Sequence, residues 1–291
     1  MFFNLLKTAI FLAILSGLLF LLGGLIGGVA GIQVAFFLSL IMNGIALFFS
    51  DKIVLSMYKA QPLNKEHYQW IYEIIEELRR TMDLPMPQLW LISSPIANAF
   101  ATGRSPKHSS IAITTGILNL LDAEELRGVL AHELAHIKNR DTLITTIAAT
   151  IASAIGYLAY MARNAALWGS ISNNRRKDTN PFALIIVSIL MPFAATLIQL
   201  AISRSREYAA DDTGAHCSRS PLALASALQK LENNTKYSHL DENNSYYAST
   251  ASLFIVHPFL RTSLHHLFST HPPIDKRVAR LQQFSKKYFH K

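Results

Sequence analysis

A run of 43 consecutive residues near the start of the chain, Thr8 to Ser50, contains no charged side chain. One helix needs ~20 apolar residues to cross a bilayer, so this run suits two crossings. Its middle, where a hairpin would turn, holds five glycines: Gly23, Gly24, Gly27, Gly28 and Gly31. A cleaved signal peptide is the alternative for the first half, but only Lys7 precedes the run and a second apolar stretch follows at once. We expect an uncleaved transmembrane helical hairpin over residues 1–50.

The composition agrees with a membrane protein, because 51% of the residues are hydrophobic and only 16% are charged. The net charge of +8 is spread along the chain rather than clustered. An anionic membrane surface accounts for it as well as a nucleic acid would, and we expect no nucleic-acid partner. The single cysteine, Cys217, excludes an intramolecular disulfide.

From Asp51 the sequence becomes soluble in character. Asn64 can cap a helix that ends near Asp83, with an apolar face of Trp70, Ile71, Ile74, Ile75 and Leu78. Three short β-prone runs follow, at Gln88–Ile92, Ala97–Thr102 and Ser110–Thr115. They predict a small sheet. Asn98 and Ala99 are candidates for an edge strand that binds a polypeptide backbone, and an ordinary hairpin is an equally good interpretation.

The next helix carries His132-Glu133-Leu134-Ala135-His136. Asp122 and Glu125 have the spacing of a capping box, which predicts where this helix begins. Two histidines four residues apart share one helix face and can bind one Zn²⁺, while the intervening Glu133 can act on a water held by the metal. A chance match on an ordinary amphipathic helix is the competing interpretation, and a third ligand would weaken it.

Two more charge-free runs follow, Thr142 to Ala162 and Thr179 to Ser203, each long enough for one crossing. The loop between them holds Arg163, Arg175, Arg176 and Lys177. Two crossings would place this basic loop on the face opposite the metal site, against the positive-inside tendency. We expect four transmembrane helices in all, and keep the alternative in which the third and fourth pack on the catalytic domain.

Glu207, directly after the last apolar run, is the candidate third ligand. Asp211 lies one turn further on the same face, where it can accept the N–H of a ligating imidazole. A solvated charged face is the alternative, and we assign Asp212 and His216 to the surface. Residues 233–245 read as a polar loop. His271 is held in Thr270-His271-Pro272-Pro273, a rigid setting for a catalytic side chain, before an amphipathic helix from Ile274.

These stretches together resemble the HtpX family of membrane zinc endopeptidases, which is related to the CAAX prenyl endopeptidases. The resemblance covers nearly the whole chain, including Asn98–Gly103, the histidine motif, Glu207–Asp211 and Thr270–Pro273 with Arg277. It implies one zinc ion per chain, held by His132, His136 and Glu207, with Glu133 as the base. It also implies that His271 stabilises the transition state and that Arg277 supports the site.

The same resemblance implies a multi-pass protein of the bacterial inner membrane whose active site faces the cytoplasm. Its substrates would be polypeptides, chiefly misfolded or misassembled membrane proteins, in stress-linked quality control. The predicted fold class is an α+β integral membrane protein, mostly helical, with a zincin-like catalytic domain and a small sheet. The expected order is a hairpin (1–50), the first catalytic part (51–141), two membrane helices (142–203) and the second catalytic part (204–291).

Two rival functions remain. A transporter is disfavoured because no ionisable residue lies inside any apolar run. An inactive zinc-binding scaffold would tolerate loss of Glu133, and its presence favours an enzyme.

Overall fold

The computed structural model describes residues 2–151, 204–237, 253–256 and 272–288. These residues are mostly helical and include one four-stranded sheet. The elements before the sheet are α1 (Phe2–Met57), β1 (Gln61–Pro62) and α2 (Gln69–Met82). The rest of the sheet and the helices that follow are β2 (Gln88–Ile92), β3 (Ala99–Ser105), β4 (His108–Thr114), α3 (Thr115–Leu120), α4 (Ala123–Asn139), α5 (Thr142–Ile151), α6 (Arg204–Ser218), α7 (Pro221–Tyr237) and α8 (Ile274–Tyr288).

Helix α1 reverses direction at Gly28, whose φ of 57° is open to glycine but strained for other residues. Asn43 Nδ2 donates to Ser16 Oγ at 2.9 Å across the two halves. The Phe20 and Phe36 rings also stack, with centroids 6.3 Å apart. The two halves of α1 therefore form a helical hairpin centred on this glycine.

Among the described residues, one stretch is long and apolar enough to cross a membrane, Gly28–Met57. Its apolar side chains are largely exposed, including Val34 at 68% and Phe37 at 64%. An exposed apolar face of this size suits contact with lipid. The expected third and fourth membrane helices begin with α5 but otherwise fall in residues 152–203, outside the described residues.

The sheet has the order β1-β2-β4-β3, with β2 and β4 parallel and the other neighbours antiparallel. Strand β3 is therefore at an edge. The three predicted strands are confirmed with small shifts at their ends, whereas β1 and α3 were not expected. One hydrophobic core joins this sheet to α2, α4, α7 and α8, through residues such as Ile75, Ile111, Leu130, Leu228 and Leu281.

Two sequence predictions need correction. Asn64 does not cap α2; its Oδ1 accepts from His67 N at 3.0 Å within a turn, and the helix begins at Gln69. Residues 233–237 are not a loop, because α7 continues to Tyr237. One face of α7 is buried through Leu224, Leu228 and Leu231. This burial stabilises the whole helix, including its polar last turn. Residues 238–245 of the predicted loop fall outside the described residues.

Candidate metal centre

Helix α4 begins with the predicted capping box. Asp122 Oδ1 accepts from Glu125 N at 2.9 Å, and Glu125 Oε2 accepts from Asp122 N at 3.0 Å. The helix ends at Asn139, and the C-cap residue Arg140, with a left-handed φ of 58°, turns the chain sharply. His132 and Glu133 are buried near the middle of this helix, and His136 is half-buried one turn later. The predicted helical setting of the motif is confirmed.

Helix α6 packs closely against α4 and presents Glu207 and Asp211, both buried, to the two histidines. Gly214 allows this approach, because a Cβ at this position would lie only 3.0 Å from the His132 backbone nitrogen. The lack of a side chain at Gly214 thus brings the third candidate ligand within reach of the histidine pair.

Three side chains converge on one point. His132 Nε2 lies 3.2 Å from His136 Nε2. Glu207 places Oε1 at 3.5 Å from His136 Nε2 and Oε2 at 3.8 Å from His132 Nε2. Ligands bound tetrahedrally to one zinc ion at usual bond lengths are separated by about 3.3 Å. The nitrogen and carboxylate donors therefore have the chemistry and spacing of a zinc site, and this set is a candidate metal-binding group.

Asp211 faces the side of the His132 ring that points away from the candidate metal position, and Arg277 pairs with Asp211. Asp211 Oδ1 lies 3.0 Å from His132 Nδ1, the ring nitrogen that faces away from the candidate metal position. The fully buried Arg277 binds both Asp211 oxygens, at 2.7 and 2.8 Å, and its Nη1 lies 3.4 Å from Glu207 Oε2. Burial alone would raise the pKa of Asp211, but the charge and hydrogen bonds of Arg277 lower it to about 2. A carboxylate that is charged at neutral pH thus faces the imidazole.

Asp141 faces His136 as Asp211 faces His132. This contact was not predicted from the sequence. Its Oδ2 lies 3.3 Å from His136 Nδ1. Burial alone would lower the pKa of His136, but the hydrogen bond to Asp141 and the charges of Glu207 and Glu133 raise it to about 9. Arg206 Nε lies 4.0 Å from Asp141 Oδ1. The only sequence signal for this contact is that Asp141 comes directly after the end of α4. The turn at Arg140 then folds Asp141 back toward His136 in the last turn of that helix.

The formal charges of this cluster favour a divalent cation. Four buried carboxylates, those of Glu133, Asp141, Glu207 and Asp211, face the guanidinium groups of Arg206 and Arg277. Among these carboxylates and guanidinium groups the negative charges exceed the positive ones by two, and a proton on His136, whose pKa is raised, offsets one of them when no metal is bound. A divalent cation among the three candidate ligands would neutralise the excess, as buried charges require.

Glu133 points toward the edge strand of the sheet. Its Oε2 accepts a hydrogen bond from Ala101 N at 2.8 Å. Burial raises the pKa of the Glu133 carboxyl, against the lowering influence of the two histidines and of this hydrogen bond. A buried carboxylate with a raised pKa beside a metal position suits a group that takes up and releases a proton.

The two candidate substrate-binding residues have different surroundings. Asn98 O accepts from Thr114 N at 3.0 Å, so this residue faces β4, and by alternation Ala99 and Ala101 direct their backbone groups outward. The Asn98 side chain holds residues 253–256, because Nδ2 donates to Leu253 O and Oδ1 accepts from Ile255 N, both at 3.2 Å. Asn98 thus anchors another segment, while the outward groups of Ala99 lie on the side of β3 away from β4, in a fully buried residue. His271 lies outside the described residues.

The chain is similar to known proteins over most of its length. The model of peptidase family M48 matches residues 65–285. A protease HtpX homolog of Syntrophobacter fumaroxidans is 49% identical over 278 residues, covering 95% of this chain and 98% of the relative. A homolog of the same name from Aquifex aeolicus is 49% identical and covers 94% and 90% of the two chains. Among solved structures, S. mikatae Ste24p matches with a TM-score of 0.48 and 17% identity, covering 96% of this chain and 66% of that one.

Proposed function

The chain belongs to peptidase family M48 and, within it, to the HtpX proteases, and on this basis we propose that it is a zinc endopeptidase of the bacterial inner membrane. It is a membrane-associated metalloprotease that acts on polypeptides. The observation that carries the assignment of zinc is the convergence of His132, His136 and Glu207, with donor atoms that all lie within 4.8 Å of one another.

His132, His136 and Glu207 hold the metal in this proposal. Bound zinc would supply a Lewis acid that polarises the scissile carbonyl and acidifies a water molecule. Glu133 takes the proton from the attacking water and passes it to the leaving amine. Its hydrogen bond with Ala101 N keeps the carboxylate in place for both transfers. The reaction needs no serine or cysteine nucleophile and no covalent intermediate with the protein.

Other residues orient the reacting groups. Asp211 fixes the ring of His132, and Arg277 keeps Asp211 and Glu207 in position. The outward backbone groups of Ala99 bind the substrate as an added strand, and Asn98 supports this edge through its own contacts. We assign His271 the role of stabilising the developing oxyanion, a contribution of a few kcal/mol when one such donor is removed.

We propose that the protein crosses the membrane four times, with the hairpin at 1–50 and two helices within 142–203, and that both catalytic parts face the cytoplasm. The continuity of α1 supports a catalytic part that lies next to the bilayer: after the apolar run ends, Val54 and Leu55 of the same helix are buried against Phe100 and Ala112 of the sheet. An active site held so close to the bilayer suits misfolded or misassembled membrane proteins as substrates, in stress-linked quality control.

Metal analysis of the detergent-purified protein, paired with cleavage of casein, tests this function. We expect one zinc ion per chain, loss of cleavage after chelation and recovery when zinc is returned. Full activity in the chelated, zinc-free protein would contradict the proposal. Zinc binding without any cleavage of casein or of denatured membrane proteins would instead favour a scaffold.

A further inference from the structure

The charges of the sheet region are confined to one turn. Residues 84–121 contain no Asp or Glu, and their only Lys and Arg are Arg104 and Lys107. Both are exposed, as is the adjacent His108, and they lie at the connection between β3 and β4. We call residues 104–108 the basic turn. All the formal charge of this 38-residue segment is positive and lies in the basic turn. The turn therefore has a positive local potential.

The basic turn lies beside the end of the apolar helix. The Arg104 guanidinium is 5.3 Å from the centroid of the Phe48 ring. Lys52 Nζ is 5.6 Å from the Phe49 centroid. Phe48 and Phe49 are about half exposed and close the charge-free run, which ends at Ser50. Aromatic rings followed by cationic side chains are typical of the boundary between hydrocarbon and headgroups.

Two contacts show that β3 runs alongside α1 toward this boundary. Phe100 contacts Tyr58, with ring centroids 5.4 Å apart, and four residues later Arg104 reaches Phe48. Ten helical residues span about 15 Å and four strand residues about 13 Å, so the two elements cover the same distance in opposite directions. Strand β3 therefore descends from the Glu133 contact at Ala101 to the end of the membrane helix.

From this geometry we infer that the basic turn binds the headgroups of anionic phospholipids at the surface where α1 enters the bilayer. Lys52, Arg104 and Lys107 outnumber the one acidic residue at this end of α1, Asp51. Each basic side chain near an anionic leaflet strengthens binding by about fivefold. Because Ala101 is three residues from Arg104, headgroup binding also fixes the general base about 10 Å above the lipid surface.

The experiment uses the full chain in nanodiscs of phosphatidylcholine with increasing phosphatidylglycerol. Ser105 is replaced by Cys in a Cys217→Ser background and carries a fluorophore, and a constant fraction of lipid bears a spin label on its headgroup. We expect quenching to rise with the phosphatidylglycerol fraction and to weaken at high salt. In Arg104→Gln/Lys107→Gln, the docking equilibrium should fall by more than tenfold and quenching should return to the level in phosphatidylcholine.

The matched control is Lys286→Gln/Lys287→Gln, which removes the same charge from exposed positions at the end of α8 and should leave quenching unchanged. The inference is overturned if quenching is independent of phosphatidylglycerol, or if the two double variants respond equally. Protection of the label by an acidic polypeptide, without any response to lipid, would make the turn a polypeptide-binding surface and would also overturn it. Since proteolysis is not the readout, failure here is distinguishable from failure of the proposed enzyme activity.

Discussion

The Glu133 carboxylate accepts a hydrogen bond from the backbone N–H of Ala101, at 2.8 Å. This bond joins the zinc helix to the edge strand, so the general base and the backbone groups proposed to bind substrate are fixed relative to each other. A glutamine has the same shape and can accept the same bond through its amide oxygen, but it cannot take up a proton.

Glu133→Gln should therefore fold, bind zinc and lose activity. We expect kcat to fall by about 10²- to 10⁴-fold, the usual contribution of a general base. Zinc content by elemental analysis and cleavage of a model substrate check this. Wild-type turnover in the variant would remove Glu133 from the proposed mechanism.

Glu207→Ala should lose zinc far more completely than Asp211→Ala. Glu207 contributes a ligand oxygen, whereas Asp211 acts through His132. Substitution of a residue that orients a ligand usually lowers metal affinity by about 10- to 100-fold. Competition with a chelator of known affinity measures both variants. Equal zinc affinity in Glu207→Ala and the wild type would exclude Glu207 as a ligand.

Asp141→Asn should weaken zinc binding by about tenfold, because it removes the charge that faces His136 Nδ1 but keeps the shape of the side chain. Asp212→Asn is the matched control, since Asp212 is paired with Arg280 on the surface, at 2.6 Å. If both variants bind zinc like the wild type, Asp141 does not orient the ligand.

Gly214→Ala should destabilise the catalytic domain by about 1–3 kcal/mol and lower its zinc affinity, because the new methyl group would meet the His132 backbone rather than a flexible side chain. Thermal unfolding with and without zinc measures both effects. Ala209→Ser, at an exposed position of the same helix, should change neither. An unchanged melting temperature in Gly214→Ala would mean that α4 and α6 can separate without cost.

The third and fourth apolar segments should cross the membrane. A cysteine at Ser172, with Cys217 replaced, should then react with an impermeant thiol reagent in cells whose outer barrier is opened. A cysteine at the exposed Ser93 should stay protected until the inner membrane is lysed. Protection of both sites would place the two segments against the bilayer rather than across it.

Local patterns in the sequence were enough to predict α4 and three of the four strands, and to place Glu207 and Asp211 one turn apart on a later helix. Three short-range signals are kept in the folded protein: the capping box at Asp122, the histidine spacing, and the one-turn offset from Glu207 to Asp211. The role of Asp141 was not predictable in this way, because it depends on the left-handed turn at Arg140. The partners of Asn98 are about 155 residues away, at Leu253 and Ile255, and no periodicity reports such a contact.

The candidate site is assembled from pieces that leave the ribosome in a fixed order. Strand β3 comes first, then the histidine helix, then Glu207 and Asp211, and last Arg277, which neutralises the buried Asp211. A nascent chain that lacks α8 would leave that carboxylate without its guanidinium partner in the interior. The contact between Asp211 and His132 therefore gains its charge-neutralising partner only after α8 has been synthesised.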